Sequence, residues 1–404
     1  MDGEKEYTYK IERDDSIRDV RRVYTDSNRR ITEVIRNGRN GIFKPTLNLR
    51  AKTIDIAAGK KTCSEYGEFI GHKMLQKMGI ESCDVEMVKR FIKNPRSKSG
   101  KGNEVPGAIS YIHLDEGEDL ISAMSIISRY KYDHEDEYKK IVNPLGMYDN
   151  DQHRIHPENE EQNNNIEVII PAFMQYVRDN GGTEEEAEAI KQRIIEMVVF
   201  DCRMANRDRH DENYGLARRD GGVRFYPLYD NEYVLGFSEP IADIEKYSAA
   251  RLQEHITRDL YSVMGVTSQP TKLAASSMMS YLFSAYPEET QKAYEKVMEF
   301  TTQDLLELME ECEGLPEENK AYAARIFRLR GREMEAVQQE YIDENGKPIK
   351  QILPGNKPME LVKGSTGSSG SNRQANGTQS QRVEEKIESR TETRTKDDEV
   401  RGIE

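Results

Sequence analysis

Residues 204–233 read MANRDRHDENYGLARRDGGVRFYPLYDNEY. A helix signal runs directly into this stretch. Thr183 and Glu186 have the spacing of a capping box, and Ile190, Ile194, Met197 and Val198 share one helical face beyond it. The polar run Asp208-Arg209-His210-Asp211-Glu212-Asn213 comes next as a loop. Gly221-Gly222 is placed to turn a hairpin between YGLA and VRFYPLY, and Asp230 comes straight after the returning strand. The order is therefore helix, polar loop, hairpin, carboxylate.

That order suits phosphoryl transfer, which asks little of a protein beyond placement and charge. One carboxylate orients the attacking hydroxyl and accepts its proton, while an amide oxygen and a second carboxylate hold magnesium on the phosphates. Asp208 has the place of the base. Asn213, five positions later on the same loop, and Asp230, beyond the hairpin, have the places of the metal ligands. The structural alternative is a charged surface turn beside an unrelated aspartate, since Asp and Asn are common turn formers. The Asp–Asn pair alone is weak; the full order is the argument.

Earlier in the chain, TEVIRNGRNGIFKP (residues 32–45) reads as a hairpin, with Thr32 to Ile35 and Ile42 to Lys44 as strands and the turn dipeptides Asn37-Gly38 and Asn40-Gly41 between them. Lys44, at the end of the returning strand, is positioned to reach nucleotide phosphates, against the plain reading of an exposed strand-end lysine. The next helix, SEYGEFIGHKMLQKMGI (residues 64–80), has Phe69, Ile70, Met74, Leu75 and Met78 at helical spacing and Gly79 as its stop. It offers Glu68 as the partner of the lysine, with Glu65 as the alternative. The glycine tip at residues 37–41 is either a cover for phosphates or a plain turn. His210 is read as holding the loop backbone, and His153 and His156 as part of a solvated loop.

VEMVKRFI (residues 85–92) and VPGAISYIHL (105–114) add strands, with residues 94–104 as a loop between them, whereas beyond about residue 118 the pattern turns helical, with residues 145–165 as a polar loop and three or four helices between 250 and 342. The expected fold is α+β and bilobal: residues 1–113 a small mixed lobe, 114–345 a mainly helical lobe with the catalytic loop, and 346–404 a disordered tail. From residue 364 the tail has no aromatic residue and too little apolar surface to offset chain entropy.

Composition narrows the partners. The 404-residue chain carries a net charge of −14, which disfavours direct nucleic-acid and anionic-membrane binding. Cys63, Cys83, Cys202 and Cys312 form no C-x-x-C pair, so neither a zinc site nor a redox motif is expected and the thiols read as reduced and cytoplasmic. The first residues, MDGEKEYTYK, are too polar for a secretory signal, and no apolar run approaches the roughly 18 residues of a membrane span.

The segment NRDRHDENYGL…FYPLYD resembles the catalytic region of HipA-like serine/threonine kinases, which carry an N-x-D-R-H-x-x-N loop and a P-x-Y-D metal motif; the helix at 64–80 and the VEMVKR after it are similar to their regulatory helix and next strand. The resemblance spans residues 31–240 and implies a bilobal protein-kinase-like fold. It implies ATP and Mg2+ as cofactors, Asp208 as catalytic base, Asn213 and Asp230 as magnesium ligands, Lys44 as the phosphate lysine with Glu68 beside it, and an adenine near Ile109 to His113. A protein substrate phosphorylated on Ser or Thr and a HipB-like DNA-binding antitoxin partner follow from the family alone. The presumed phosphate loop lacks the serine whose phosphorylation silences those toxins, so that regulation is not carried over. Phosphoinositide kinases share D-R-H-x-x-N but continue with D-F-G, where this chain has Leu228-Tyr229-Asp230-Asn231-Glu232. The competing readings are a catalytically silent ATP-binding regulatory module and a lipid or small-molecule kinase.

Overall fold

The computed structural model describes residues 8–22, 31–46, 48–49, 60–93, 102–142, 164–219, 221–244, 246, 264–266 and 273–343. The expected tail, most of the loops at 94–104 and 145–165, and His153 and His156 lie outside the described residues. The chain order is β1 (Glu12–Arg13), β2 (Arg18–Arg22), β3 (Thr32–Arg36), β4 (Arg39–Pro45), β5 (Asn48–Leu49), β6 (Lys60–Lys61), α1 (Ser64–Lys77), β7 (Val85–Lys93) and β8 (Gly102–Tyr111). A second part continues with β9 (Asp119–Ser122), α2 (Ala123–Asp133), α3 (Glu135–Val142), α4 (Ile166–Asp179), α5 (Glu184–Met204), β10 (Gly215–Arg219), β11 (Gly222–Phe225) and α6 (Ile241–Ile244). It ends with α7 (Ala275–Ala285), α8 (Pro287–Met298), α9 (Thr302–Glu310) and α10 (Glu317–Tyr341). The architecture is α+β: a six-stranded sheet with one helix, then a helical part containing a three-stranded sheet.

The larger sheet has the order β1-β7-β8-β4-β3-β2, antiparallel except for the β1–β7 pair. Its two central strands are β8 and β4, and β4 continues from β3 as a hairpin. Arg36 pairs with Arg39, so only Asn37 and Gly38 form the turn, at φ +51° and +79°. Two successive positive φ values make a turn whose twist matches the strands, and Asn-Gly is the pair that tolerates it. Asn40-Gly41, expected as a second turn, is instead strand: Gly41 pairs with Val34 and Tyr111, and a Cβ there would lie 2.7 Å from Ile109 Cγ2. Residues along β4 alternate between faces. Phe43 is fully buried with Val34, Val88, Ile109 and Tyr111, while Lys44 points to the opposite face, the one that Ser110 shares with α1.

Helix α1 agrees with the sequence reading. Gly79, at φ +65°, closes it: the Gly79 N–H donates to Gln76 O at 3.0 Å and the Ile80 N–H to Leu75 O at 2.9 Å, the two bonds of a glycine-terminated helix end. Ile70, Met74 and Leu75 are fully buried.

In the second part, α5 is the central helix. Thr183 Oγ1 accepts from Glu186 N at 3.2 Å, and the Glu186 carboxylate accepts from Thr183 N at 2.7 Å. Ile190, Ile194, Met197 and Val198 are buried against the surrounding helices, and residues 275–341 supply four further helices. The hairpin expected after the loop at 208–213 is also present. Arg219 pairs with Gly222, which opens the return strand, and Gly221 just before it has φ +88°. Strand β9 completes that small sheet by pairing with β10. No helix among the described residues is long and apolar enough to cross a membrane.

The Thr183 cap sits at an exposed helix start, so its loss touches little else. Thr183→Ala is expected to lower unfolding stability by about 1 kcal/mol, read from urea midpoints at unchanged m-value.

Candidate functional site

Helix α5 ends where Ala205 adopts the left-handed conformation, φ +51°, and releases the chain into the loop 206–214. Buried Asp201, on the last turns of that helix, organises this loop. Its carboxylate accepts from Asn206 Nδ2 at 2.9 Å and from Arg209 Nε at 3.0 Å. Arg209 is only 1% exposed, yet its charge is fully used. Its Nη1 donates to Asn213 O at 3.1 Å and Tyr229 O at 2.5 Å, and its Nη2 to Asn231 Oδ1 at 2.7 Å. One guanidinium thus fastens the helix end, the loop and the segment after the hairpin to one another.

Within the loop, the Asn213 side-chain N–H donates to Asp208 O at 2.7 Å. This commits the donor end of the amide and leaves the oxygen end for a cation. His210 Nδ1 accepts from Glu212 N at 3.3 Å, in keeping with a role in holding the backbone. The Asp208 carboxylate itself accepts no hydrogen bond among the described residues. Burial pushes its pKa up to about 6, with Asp230 and Glu232 adding to the rise and His210 and Lys44 opposing it.

Asp230 sits at φ +58°, an uncommon conformation for a side chain with a Cβ. Its Oδ1 lies 2.7 Å from Lys44 Nζ. Helix α1 packs unusually close to this segment: a Cβ on Gly67 would lie 2.5 Å from Glu232 O, and one on Gly71 would lie 2.7 Å from Asn231 Cβ. Two glycines four residues apart on one helix face create that approach, at the expense of helix propensity. Glu68, between them in the chain, is buried; its Oε1 accepts from Ser110 Oγ at 2.8 Å, while its Oε2 is buried without a hydrogen bond among the described residues.

Electrostatics tie the side chains into one cluster. Burial works against the Lys44 charge, but Asp230, Glu68 and Glu232 outweigh it and hold the ammonium well above its ordinary pKa. Burial raises the Glu68 carboxyl, which Lys44 opposes and Asp230 and Glu232 reinforce. Arg209 is matched by Asp201. Lys44 thus lies among the carboxyls of Glu68, Asp208, Asp230 and Glu232. Among the described residues no three His, Cys, Asp or Glu side chains converge as a ready-made metal site. A cation here would complete its shell with ligand oxygens, as magnesium commonly does.

The structure therefore brings Lys44, Asp208, Asn213 and Asp230 together, with Glu68 on the same cleft. Lys44 takes Asp230 as its direct partner, and Glu68 takes Ser110. Glu65 acts elsewhere, on Cys63 and Tyr66. The tip at residues 37–38 is a two-residue turn at the far end of β4 from Lys44. Near the expected adenine position, the N–H groups of Tyr111, Ile112 and His113 are already committed, to Asp84 O, Asn40 O and Tyr226 Oη. A base recognised by main chain there must use carbonyls or residues from Leu114 onward. Arg209, Asp201, Asn231, Gly67 and Gly71 were not singled out by sequence reasoning. The signals were present: Asp201 is a lone carboxylate in the apolar run MVVFDC, and Gly67 and Gly71 share a face inside a helix.

No family model and no curated protein matches the chain by sequence. Solved structures do match by shape. The structure superimposes on the Helicobacter pylori proinflammatory kinase CtkA with a TM-score of 0.59 at 12% identity, over 82% of this chain and 97% of that one. This chain has a protein-kinase-like fold. Weaker likenesses are to HipA in a Shewanella oneidensis HipA, HipB and operator DNA complex, TM-score 0.42 at 12% identity over 78% of this chain and 65% of that one, and to a Golgi casein kinase, TM-score 0.31 at 10% identity over 83% and 74%. The fold assignment rests on the first alone.

The raised Asp208 pKa has a consequence for stability. Between the unfolded value near 3.8 and the folded value of about 6, the native state binds more protons than the unfolded state, so this carboxyl lowers stability as pH rises through that window. Asp208→Asn is expected to raise the melting temperature at pH 7.5, with the gain shrinking at pH 5 and absent below pH 4, as followed by calorimetry.

Proposed function

We propose that the protein is an ATP- and magnesium-dependent phosphotransferase acting on Ser or Thr hydroxyls of a protein substrate. The observation that carries this reading is the Asp208 carboxylate: free of hydrogen bonds among the described residues, raised to about 6, and set in one cleft with Lys44 and Asp230. A general base performs best when its pKa lies close to working pH, and a carboxylate near 6 approaches that condition while remaining mostly ionised at pH 7.

The cleft suits the charges of the proposed ligands. Its several carboxylates suit a cation, and Lys44 already rests on Asp230 in that role. Asn213 through its amide oxygen and Asp230 through its carboxylate are the groups that would hold magnesium, which when bound offsets charge on the phosphates. Lys44 grips phosphate oxygens once they are present. The unbonded Oε2 of Glu68 then becomes the ammonium's second acceptor and keeps it from moving outward with the phosphates. Asp208 orients the substrate hydroxyl and accepts its proton as the oxygen attacks. Arg209 and Asn213 fix the loop, so that Asp208 needs no reorganisation at that moment. The preference for a protein hydroxyl rests on the HipA-like motif, and so does the idea of a DNA-binding partner.

Purified protein incubated with labelled ATP, magnesium and a cell lysate, then separated into protein and small-molecule fractions, tests the reading. Label is expected in protein. Asp208→Ala is expected to lower transfer at least about a hundredfold while ATP affinity by calorimetry changes little. Transfer should also fall as pH drops below about 6, when Asp208 takes up a proton. ATP binding without transfer to any fraction would instead identify a silent nucleotide-binding module.

A further inference from the structure

Residues 8–22, charged and unassignable by pattern, contain a short segment with an unexpected course. At Tyr9 the main chain pairs with the turn between α9 and α10: the Tyr9 N–H donates to Glu311 O at 2.9 Å and Glu313 N–H donates to Tyr9 O at 2.9 Å. A few residues later the same segment is β1, the edge strand of the large sheet, paired in parallel with β7 through Glu12 and Val88, and the Asp14 N–H donates to Lys89 O at 3.1 Å. Between these anchors it crosses α1. The Tyr9 ring meets Phe69 edge-on at 4.8 Å, and Lys73 Nζ lies 5.6 Å from the Tyr9 ring centre and 5.5 Å from that of Phe69. Helix α1 has its own tie to the same turn, because Tyr66 Oη donates to Glu313 O at 2.6 Å.

We propose that residues 8–14 form a strap that holds α1, and with it Glu68, against the cleft, with Tyr9 as its positioning residue. The helix is clamped from two sides. On its inner side Gly67 and Gly71 rest on Glu232 and Asn231, with no room to move inward. On its outer side Phe69, next to Glu68 in the chain, lies under Tyr9. Any outward swing of α1 must separate the Tyr9–Phe69 contact or pull Tyr9 off the Glu311–Glu313 main chain. The strap joins the helical part to the edge of the large sheet, so it also limits how far those two parts open about the cleft. Its hold on α1 is a structural claim. Its effect on turnover rests on the phosphotransferase reading above.

Hydrogen exchange of the α1 amides, measured by mass spectrometry on nucleotide-free protein, separates the two. Tyr9→Ala is expected to speed exchange across Phe69–Leu75 by about tenfold while α5 amides stay as in wild type. In the transfer assay it should lower kcat by about tenfold and change the KM for ATP much less. Among the described residues the Tyr9 hydroxyl makes no hydrogen bond, so Tyr9→Phe keeps the ring contacts and should restore wild-type values in both assays. If Tyr9→Ala does not fold, Tyr9→Leu gives the answer, since it keeps an apolar side chain in place but removes the aromatic contact with Phe69 and should raise α1 exchange selectively but less. Unchanged α1 exchange in the folded variants overturns the strap. Faster α1 exchange with full kcat overturns Tyr9 as a positioning residue. A wild-type protein that transfers no phosphate overturns the function and leaves the exchange result to judge the strap.

Discussion

The buried charge of Arg209 is the constraint on which the rest of the site depends. A guanidinium at 1% exposure is tolerable only if its donors are all matched, because an unpaired buried charge is among the most destabilising features a fold can contain. Arg209 is matched by groups from three separate stretches: Asp201 at the end of α5, the Asn213 carbonyl on the loop, and Tyr229 and Asn231 beyond the hairpin. None of the three can drift without stranding part of that charge. Asp208 and Asp230, which flank these anchors in the chain, therefore have fixed relative positions before any ligand arrives, as catalysis by preorganised charge requires.

The upper half of the cleft is coupled to this base by packing instead of charge. Helix α1 touches the Asn231–Glu232 segment through two glycines, so the position of the helix is read directly by the residues just after Asp230. Glu68 is carried on the same face as those glycines' neighbours and is tethered to β8 by Ser110. Lys44, from β4, reaches down to Asp230. The sheet, the helix and the loop thus converge without a single continuous secondary-structure element running between them, and the contacts that join them are few and short.

How much of this was legible in the chain depends on the range of each interaction. Asp208 and Asn213 could be read because they lie on one loop, and Asp230 because a hairpin with a glycine turn sets its distance from them. Lys44 could be read because it ends the strand that returns from a glycine-bearing hairpin. The turn at 37–41 was ambiguous because Asn37-Gly38 and Asn40-Gly41 have the same local chemistry. Only the register, with Gly41 packed on Ile109, decides between them, and that is a contact with a strand nearly seventy residues later in the chain. Arg209 was visible as part of a motif but not as a hub, since nothing local says that 201, 213, 229 and 231 share one side chain. The segment 8–14 was illegible for the same reason. A two-residue strand has no pattern of its own, and β1 exists only because β7 offers it an edge.

The pair formed by Lys44 and Asp230 has a further implication for binding order in the proposed reaction. Each residue satisfies the other in the free protein. A phosphate that draws Lys44 away leaves Asp230 without that partner, beside the carboxyls of Glu68, Asp208 and Glu232. A divalent cation that takes Asp230 leaves Lys44 needing an anion. Either ligand alone therefore breaks an ion pair and replaces only half of it, whereas both together replace the whole. Binding of one must strengthen binding of the other by the same factor, because coupling between two sites is reciprocal. In the proposed reaction the ion pair would thus disfavour nucleotide without metal and metal without nucleotide, and it is the low exposure of the Lys44 side chain, 12%, with the carboxylates around it, that would keep this coupling from being screened away by water.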